Sequence, residues 1–491
     1  MTKDYLASVC EHIVGHAAAH PDKIAVRCPD GDLTYSSLWN RACGASWWLR
    51  GQGVAQGDRV LLHAIRSVDY IALYFAVHLT GAVAVPFEES LPAAAVKDLF
   101  ERVDASACIS VARYDDIARC FSFADVFGDL SVEGDAVLPS EDMIAEFLLT
   151  TGTTGRSKVV MLTHGAVMSV IQNIIVATDL KEDNVSLVPM PLNHVFALRR
   201  LQAGLVAGAT VVIVNGVASL KKFYGGIDSY GVTSLSLVPS ALAFIHQASG
   251  DLLGRYAHQI RFVESSSAPL PSATRAWLRG VLPESRLYNS YGCTESTACC
   301  MIEYSKRSDD GSCVGSPCST AWISILDPHS GLPVEDGSGR IAIGGSGVMS
   351  GYFEDAQATA FTLHDGLVYT NDLGYMLDGE LYVQGRLDDV AIIGGHNVSP
   401  AEVEDTLSLC SVVRECACVK TDDPLTGDAL ALFIVWSDDC SRGDRMDVLA
   451  RYMKAELEPF KIPSRIIEAE SVPRTYNGKT DRKALISMLG D

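Results

Sequence analysis

A chain of 491 residues, 48% hydrophobic and 20% charged, can bury more than one core and needs no disulfide or metal staple to fold. Its formal net charge of −21 excludes sequence-independent binding along a nucleic-acid backbone, which requires clustered lysine and arginine, but leaves room for a small anionic ligand in a locally basic cleft. The fourteen cysteines are scattered, without Cys-x-x-Cys or a neighbouring histidine at ligand spacing, so they read as free thiols of a reducing compartment, Cys299-Cys300 and Cys416-x-Cys418 included.

The N-terminus, Met1-Thr2-Lys3-Asp4-Tyr5, meets charge before any apolar run develops, so no secretory signal is expected and the cytoplasm is the expected location. Short β-branched runs follow at Ile24–Val26, Val60–His63 and Ala82–Val85. The longest apolar stretch, Tyr70–Phe87, is interrupted by His78, Thr80, Gly81 and Pro86 and predicts a buried helix turning into a strand, not a membrane span. Strands over Ser186–Val188, Thr210–Val214 and Ser234–Val238 alternate with helical stretches, the pattern of a layered α/β fold. From Val314 the texture changes to glycine-punctuated strands, Trp322–Leu326, Gly339–Ile343 and Glu380–Val383, as in a β-rich subdomain. After the charged turn Gly385-Arg386-Leu387-Asp388-Asp389, a helix over Pro400–Leu409, strands over Glu415–Lys420 and Leu430–Val435 and a helix over Asp447–Leu457 predict a small α+β domain. The expected division is residues 1–387 and 388–491.

The most informative stretch is 147–158, Phe-Leu-Leu-Thr-Thr-Gly-Thr-Thr-Gly-Arg-Ser-Lys. Gly152 and Gly155 free backbone amides to turn toward anionic oxygens, while Thr150, Thr151, Thr153, Thr154 and Ser157 add hydroxyls and Arg156 and Lys158 add positive charge. Gly/Thr-rich turns that bind nothing are common, so context decides. The spacing is not that of a P-loop, because four residues do not separate the glycines and Val159-Val160-Met161-Leu162 predicts a strand where a P-loop would start a helix. Thr163 is the N-cap expected for a helix around Ala166–Ala177. A strand–loop–strand phosphate clamp is the expectation.

Further clusters complete an order: Pro191-Leu192-Asn193-His194-Val195-Phe196, Tyr288-Asn289-Ser290-Tyr291-Gly292-Cys293-Thr294-Glu295, Thr370-Asn371-Asp372-Leu373-Gly374 and Pro473-Arg474-Thr475-Tyr476-Asn477-Gly478-Lys479. With the Thr/Gly loop and Gly385–Asp389, nearly the whole chain resembles the adenylate-forming superfamily of acyl-CoA synthetases, peptide-synthetase adenylation domains and firefly-type luciferases. The resemblance implies an N-terminal domain binding ATP and the acid, and a mobile C-terminal lid. It implies that Thr150–Lys158 closes over the ATP phosphates, that Tyr291 lays its ring against the adenine with Ser266–Pro269, including Ser267 and Ala268, lining the other side, that Asn289, Ser290, Gly292 and Thr294 also bind the nucleotide, and that Glu295 ligates Mg²⁺ and serves catalysis. Asp372, assisted by Arg386, would accept from the ribose hydroxyls, and Asp388 would be the hinge.

Lys479 is then the expected catalytic cation of adenylation, and His194 stands beside the substrate carboxylate. A second lid orientation would bring Gly394 and Gly395, with His396 and Asn397, to the site so that pantetheine can pass. Ala197 follows Phe196 where amino-acid-activating domains carry an aspartate, and no carrier segment follows Lys479 before Asp491. The expected activity is therefore an acid–thiol ligase that adenylates a small carboxylic acid and transfers it to coenzyme A; a carrier protein in trans, or a non-catalytic acyl- or nucleotide-binding role, are the alternatives. Val195, Phe196, Ser240, Ser265 and Cys293 are the expected pocket positions, small or polar enough for an aryl or medium aliphatic acid. Ser157, Val159 and Asn371 depart from the residues usual in that family at their positions.

Overall fold

The computed structural model describes residues 6–128, 136–150, 157–305, 307, 312–334, 337–394, 396–437, 444–475 and 479–490. The expected clamp residues Thr151, Gly152, Thr153, Thr154, Gly155 and Arg156, and the expected thiol-channel residue Gly395, lie outside them.

Local chemistry sets the first layer. Ser67 caps the helix Val68–Thr80 by accepting from Tyr70 N, and Gly81 stops it in the left-handed conformation at φ +78°. This helix is buried from Tyr70 to Thr80, as an all-round apolar helix must be, and the chain turns directly into the strand Val83–Phe87. That strand sits near the middle of a sheet ordered Gly351–Tyr352, Val159–Thr163, Ile144–Leu149, Val83–Phe87, Arg59–His63, Ala105–Ser110, Cys120–Ser122. Thr163 caps the helix His164–Thr178 as expected, accepting from Ala166 N.

A second sheet begins as a parallel array including Thr210–Ile213, Val185–Val188, Ser234–Ser236, Phe262–Ser266 and Arg286–Cys293, the βα crossovers placing helices on its faces. It then continues without a break into antiparallel strands, since Thr297–Glu303 pairs with Arg286–Cys293 and Cys313–Pro317 pairs with Glu380–Arg386. The β-rich region expected as a subdomain is thus welded edge to edge to the α/β layer. Glycine punctuation marked its tight backbone approaches; it did not mark a boundary.

The C-terminal domain has its own sheet, with Val413–Asp423 and Gly427–Trp436 as its long pair, and its own core around Val403, Leu407, Leu432 and Leu449. At its junction with the N-terminal domain, Asn371 Nδ2 donates to Asp388 Oδ2 and Leu387 N donates to Asn371 O at 2.8 Å. Its helix Pro400–Ser408 meets the helix Ser272–Val281 of the larger domain through Asp405, which accepts from Ser272 N and Ser272 Oγ, both at 2.7 Å. Among the described residues no helix is long and apolar enough to cross a membrane.

The helix Val195–Val206 carries charge into the core. Arg199, 1% exposed, donates to Glu146, 0% exposed, and to Gln202 Oε1 at 2.7 Å, while Tyr74 OH donates to the same Glu146 carboxylate. A buried pair of this kind survives only when its remaining valences are satisfied, which Tyr74 and Gln202 help to do.

Candidate active site

The loop that carries the Thr/Gly motif springs from the antiparallel pair Ile144–Leu149 and Val159–Thr163. Its base is closed by Thr150 N donating to Lys158 O at 3.0 Å and Lys158 N donating to Thr150 Oγ1 at 3.1 Å. The Lys158 ammonium lies 4.6 Å from the ring centroid of Tyr352, and Tyr352 OH donates to Glu295 Oε1 at 2.7 Å. Gly351–Tyr352 reaches this position by pairing with Met161 and Val160. A cation, an aromatic ring and a carboxylate therefore form one connected unit beside the end of this strand pair. Tyr352 was not among the expected site residues, and its pairing across almost two hundred residues leaves no local trace in the sequence.

Glu295 is presented by the turn between Arg286–Cys293 and Thr297–Glu303. A bulge between Tyr291 and Gly292 bends the first strand, and a Cβ at Gly292 would stand 1.6 Å from Thr297 O, so glycine alone fits. Thr297 at φ +53° and Ser267 at φ +76° hold the left-handed conformation that side chains disfavour. Strain of this kind collects at functional sites. Ser267 and Ala268 follow the strand Phe262–Ser266, tied to the next strand by Ser266 Oγ donating to Ser290 O at 3.1 Å. Asn289 and Ser290 are buried, and Thr294 is half-buried in the turn.

Asp372 and Arg386 are cross-strand neighbours in register, 3.8 Å apart, and Tyr291 OH donates to Asp372 Oδ2 at 2.8 Å. Burial raises the Asp372 carboxyl pKa; the Tyr291 hydrogen bond and the charges of Arg386 and Lys479 oppose that rise. Burial likewise pushes the Tyr291 phenol well up, with the Asp372 charge adding to it, so this hydroxyl stays a donor.

Lys479 enters this cluster from the C-terminal domain. Its backbone is held by Thr475 N donating to Lys479 O at 2.8 Å, and residues 476–478 lie outside the described set. Its side chain is solvent-accessible, yet the protein packed around it lowers the ammonium pKa, and the Arg386 guanidinium lowers it further. Asp372, Cys293 and Glu295 pull in the opposite direction. His194, the N-cap position of Val195–Val206, feels the same cation: burial first, then Lys479, brings its imidazole down to about 4, so the ring is neutral near pH 7. Residues from four separate sequence clusters thus meet around one lysine.

Other expected positions are distributed differently. Val195 is half-buried and Phe196 buried on the first turn of the helix after His194, Cys293 is half-buried beside Glu295, and Ser240 is half-buried in the first turn of Pro239–Ser249. Ser265 is fully buried, and strand alternation turns it to the face opposite its neighbour Glu264. Ser265 Oγ, like Glu264 Oε2 on the other face, has no protein partner. Gly394 does not join the Lys479 cluster: it occupies an exposed turn at φ +57°, donates to Thr426 O at 3.0 Å and precedes His396, which stacks on Phe460 at 4.1 Å. The C-terminal domain offers Lys479 to the cleft in this orientation and keeps the glycine turn elsewhere.

Comparison with known proteins matches residues 14–353 to the AMP-binding enzyme family and residues 402–479 to the AMP-binding enzyme C-terminal domain. A feruloyl-CoA synthase of Amycolatopsis sp is 29% identical over 482 residues, covering 95% of this chain and 96% of that protein. A 2-succinylbenzoate–CoA ligase of Bacillus cereus is 27% identical over 479 residues, covering 96% of each. Among solved structures, ATP-bound MatB from Rhodopseudomonas palustris superposes with a TM-score of 0.89 at 23% identity, covering 99% of both chains.

Proposed function

The chain belongs to the AMP-binding enzyme family, and from that membership we propose that it is an ATP-dependent acid–thiol ligase, which adenylates a carboxylic acid, releases pyrophosphate and transfers the acyl group to coenzyme A. The observation that carries the reading is the convergence of Lys479, Asp372, Arg386, Glu295 and neutral His194 on one cleft. Asp372 would accept from the ribose hydroxyls, as a carboxylate can from a vicinal diol, with Arg386 beside it. Lys479 would place positive charge where it accumulates as the acid's carboxylate attacks the α-phosphorus, favouring the transition state over the ground state. A neutral His194 can donate a hydrogen bond to the incoming carboxylate without holding it back as an ion pair. Asp388 would be the hinge about which the lid, residues 388–491, turns between the two half-reactions.

The donor set suits Mg²⁺, a hard ion usually bound by one or two carboxylates together with substrate phosphates. Glu295 supplies that carboxylate, held by the Tyr352 hydroxyl. When bound, the ion would neutralise charge on the phosphate oxygens. Replacing Tyr352 with phenylalanine keeps the ring under Lys158 but releases Glu295, so the Mg²⁺ concentration for half-maximal pyrophosphate release should rise about tenfold, as for other groups that orient a metal ligand. An unchanged Mg²⁺ titration would remove Tyr352 from this role.

The pH profile follows from the same cluster. Asp372 must be ionised to accept from the ribose, and its raised pKa means that the active form is lost, on acidification, above the ordinary carboxylate range. Lys479 must be charged, and its lowered pKa means that the cation is lost, on alkalinisation, below the ordinary lysine range. The bell of kcat/KM for pyrophosphate release should therefore be narrower than free aspartate and lysine would give. Lys479→Arg should push the basic limb upward because arginine stays charged; a limb that does not move would assign it to another group.

Pyrophosphate release from ATP across a panel of carboxylic acids, followed by addition of coenzyme A, tests the whole reading. Acid-dependent release with thioester formation is the expected result. Release without thioester would redirect the second step to a carrier protein, and silence with every acid would defeat the proposal.

A further inference from the structure

Two adjacent arginines on Val195–Val206 point into the protein, and they are satisfied unequally. Arg199 commits one terminal nitrogen to Gln202 and the other to Glu146. Arg200, 6% exposed, commits only Nη2, to Glu264 Oε1, and leaves Nε and Nη1 without a protein partner; the second oxygen of Glu264, itself 0% exposed, is equally unanswered. Ser290 Oγ, also buried, shares that condition. Buried donors and acceptors without protein partners are rare enough to require an occupant, whether water or ligand.

The sheet places these groups together. Ser236, Glu264 and Tyr288 are neighbours in register, as are Ser266 and Ser290, and alternation turns all five to one face of the sheet. The Arg200–Glu264 bond identifies that face as the one covered by Val195–Val206. Arg200 stands 5.2 Å from the ring centroid of Phe196, one turn nearer to His194. The neutral imidazole of the acid-activating cluster thus stands at the N-cap of the helix whose second turn carries the half-satisfied ion pair.

We propose that the Arg200–Glu264 pair forms the far wall of the acyl pocket and selects a carboxylic acid with a hydroxyl group at the end remote from its carboxyl. The inference rests on the acid-activating reading above. A hydroxyl is a donor and an acceptor on one atom: its oxygen accepts from Arg200 Nη1 while its hydrogen is donated to Glu264 Oε2. A terminal carboxylate would lie against the free Glu264 oxygen, and a terminal ammonium against the free guanidinium nitrogens. The pair already balances its own charge, so a neutral group that answers both halves fits where either ion does not.

The test uses acids of one skeleton that end in hydroxyl, hydrogen or carboxylate, measured by calorimetric binding and by pyrophosphate release, on the wild-type chain, on Glu264→Gln and on the double variant Arg200→Met/Glu264→Leu. The hydroxy acid should be preferred over its hydrogen analogue by roughly a hundredfold or more, because unfilled buried polar groups penalise the analogue. The double variant should reduce that ratio to below about tenfold by handling the hydrogen analogue better, as an apolar pocket discriminates weakly. Glu264→Gln preserves shape and should lower the ratio by itself, which keeps the test alive if the double variant fails to fold. A wild-type ratio near one, preference for the terminal carboxylate, or an unchanged ratio in a folded variant would each overturn the proposal. Hydroxyl preference in binding with no pyrophosphate from any acid would sink the adenylation reading and support the pocket assignment, whereas release without hydroxyl preference would sink only the pocket assignment. No binding of any acid would sink both.

Discussion

Replacement of Lys479 by alanine is expected to slow adenylation by about 10²–10³-fold, the range for removing one preorganised group from a developing charge. Thioester formation from preformed acyl-adenylate and coenzyme A should change far less. Lys479 is the group that the C-terminal domain contributes to the electrostatics of Asp372, Glu295, Cys293 and His194, so its loss removes the lid's charge from the cleft while leaving the N-terminal cluster intact. Because the side chain is solvent-accessible, the substitution opens no cavity and the melting temperature should stay near that of the wild type. Separate assays of the two half-reactions check this. An alanine variant that adenylates at the wild-type rate would end the assignment, and equal loss in both steps would move Lys479 from chemistry to lid positioning.

The second large effect is on stability. Arg199→Met should destabilise the chain by about 3–5 kcal/mol, the usual result of removing one member of a buried ion pair. Glu146 would be left with the Tyr74 hydroxyl but without its counter-charge, in a position with no access to water. Arg199→Met combined with Glu146→Leu should recover most of the loss, because two apolar groups of similar volume need no partners. Chemical denaturation of the three chains decides the matter, and a single variant as stable as the wild type would show that the pair is already hydrated.

The fold was largely legible because its signals are local. The apolar stretch from Tyr70 to Phe87 carries its own stop at Gly81, and Thr163 caps its helix as a hydroxyl before an apolar run should. Element bounds moved both ways: Ser234–Ser236 stops short of the expected Ser234–Val238, whereas Gly427–Trp436 exceeds Leu430–Val435 because the ladder with Val413–Asp423 continues through residues whose own preference for a strand is weak. The chemistry-bearing residues were legible only as ordered clusters, since no property of Asp372 or Lys479 alone separates it from a turn aspartate or a surface lysine. What stayed hidden depends on tertiary pairing. Tyr352 reaches Glu295 by a two-residue strand, and Arg200 finds Glu264 through a sheet register; neither partner can be read from its neighbours in sequence.

The meeting of Ser272 and Asp405 has a further consequence for turnover. Two hydrogen bonds, with Arg275 standing 3.9 Å from the same carboxylate, can be traded one for one with water when the domains part. On the proposed lid rotation, such a latch would open with little net change in bonding, so departure from this posture would not await a ligand strong enough to force it. The same thrift would make the posture a resting place in the proposed cycle and leave it no power to become the end of one.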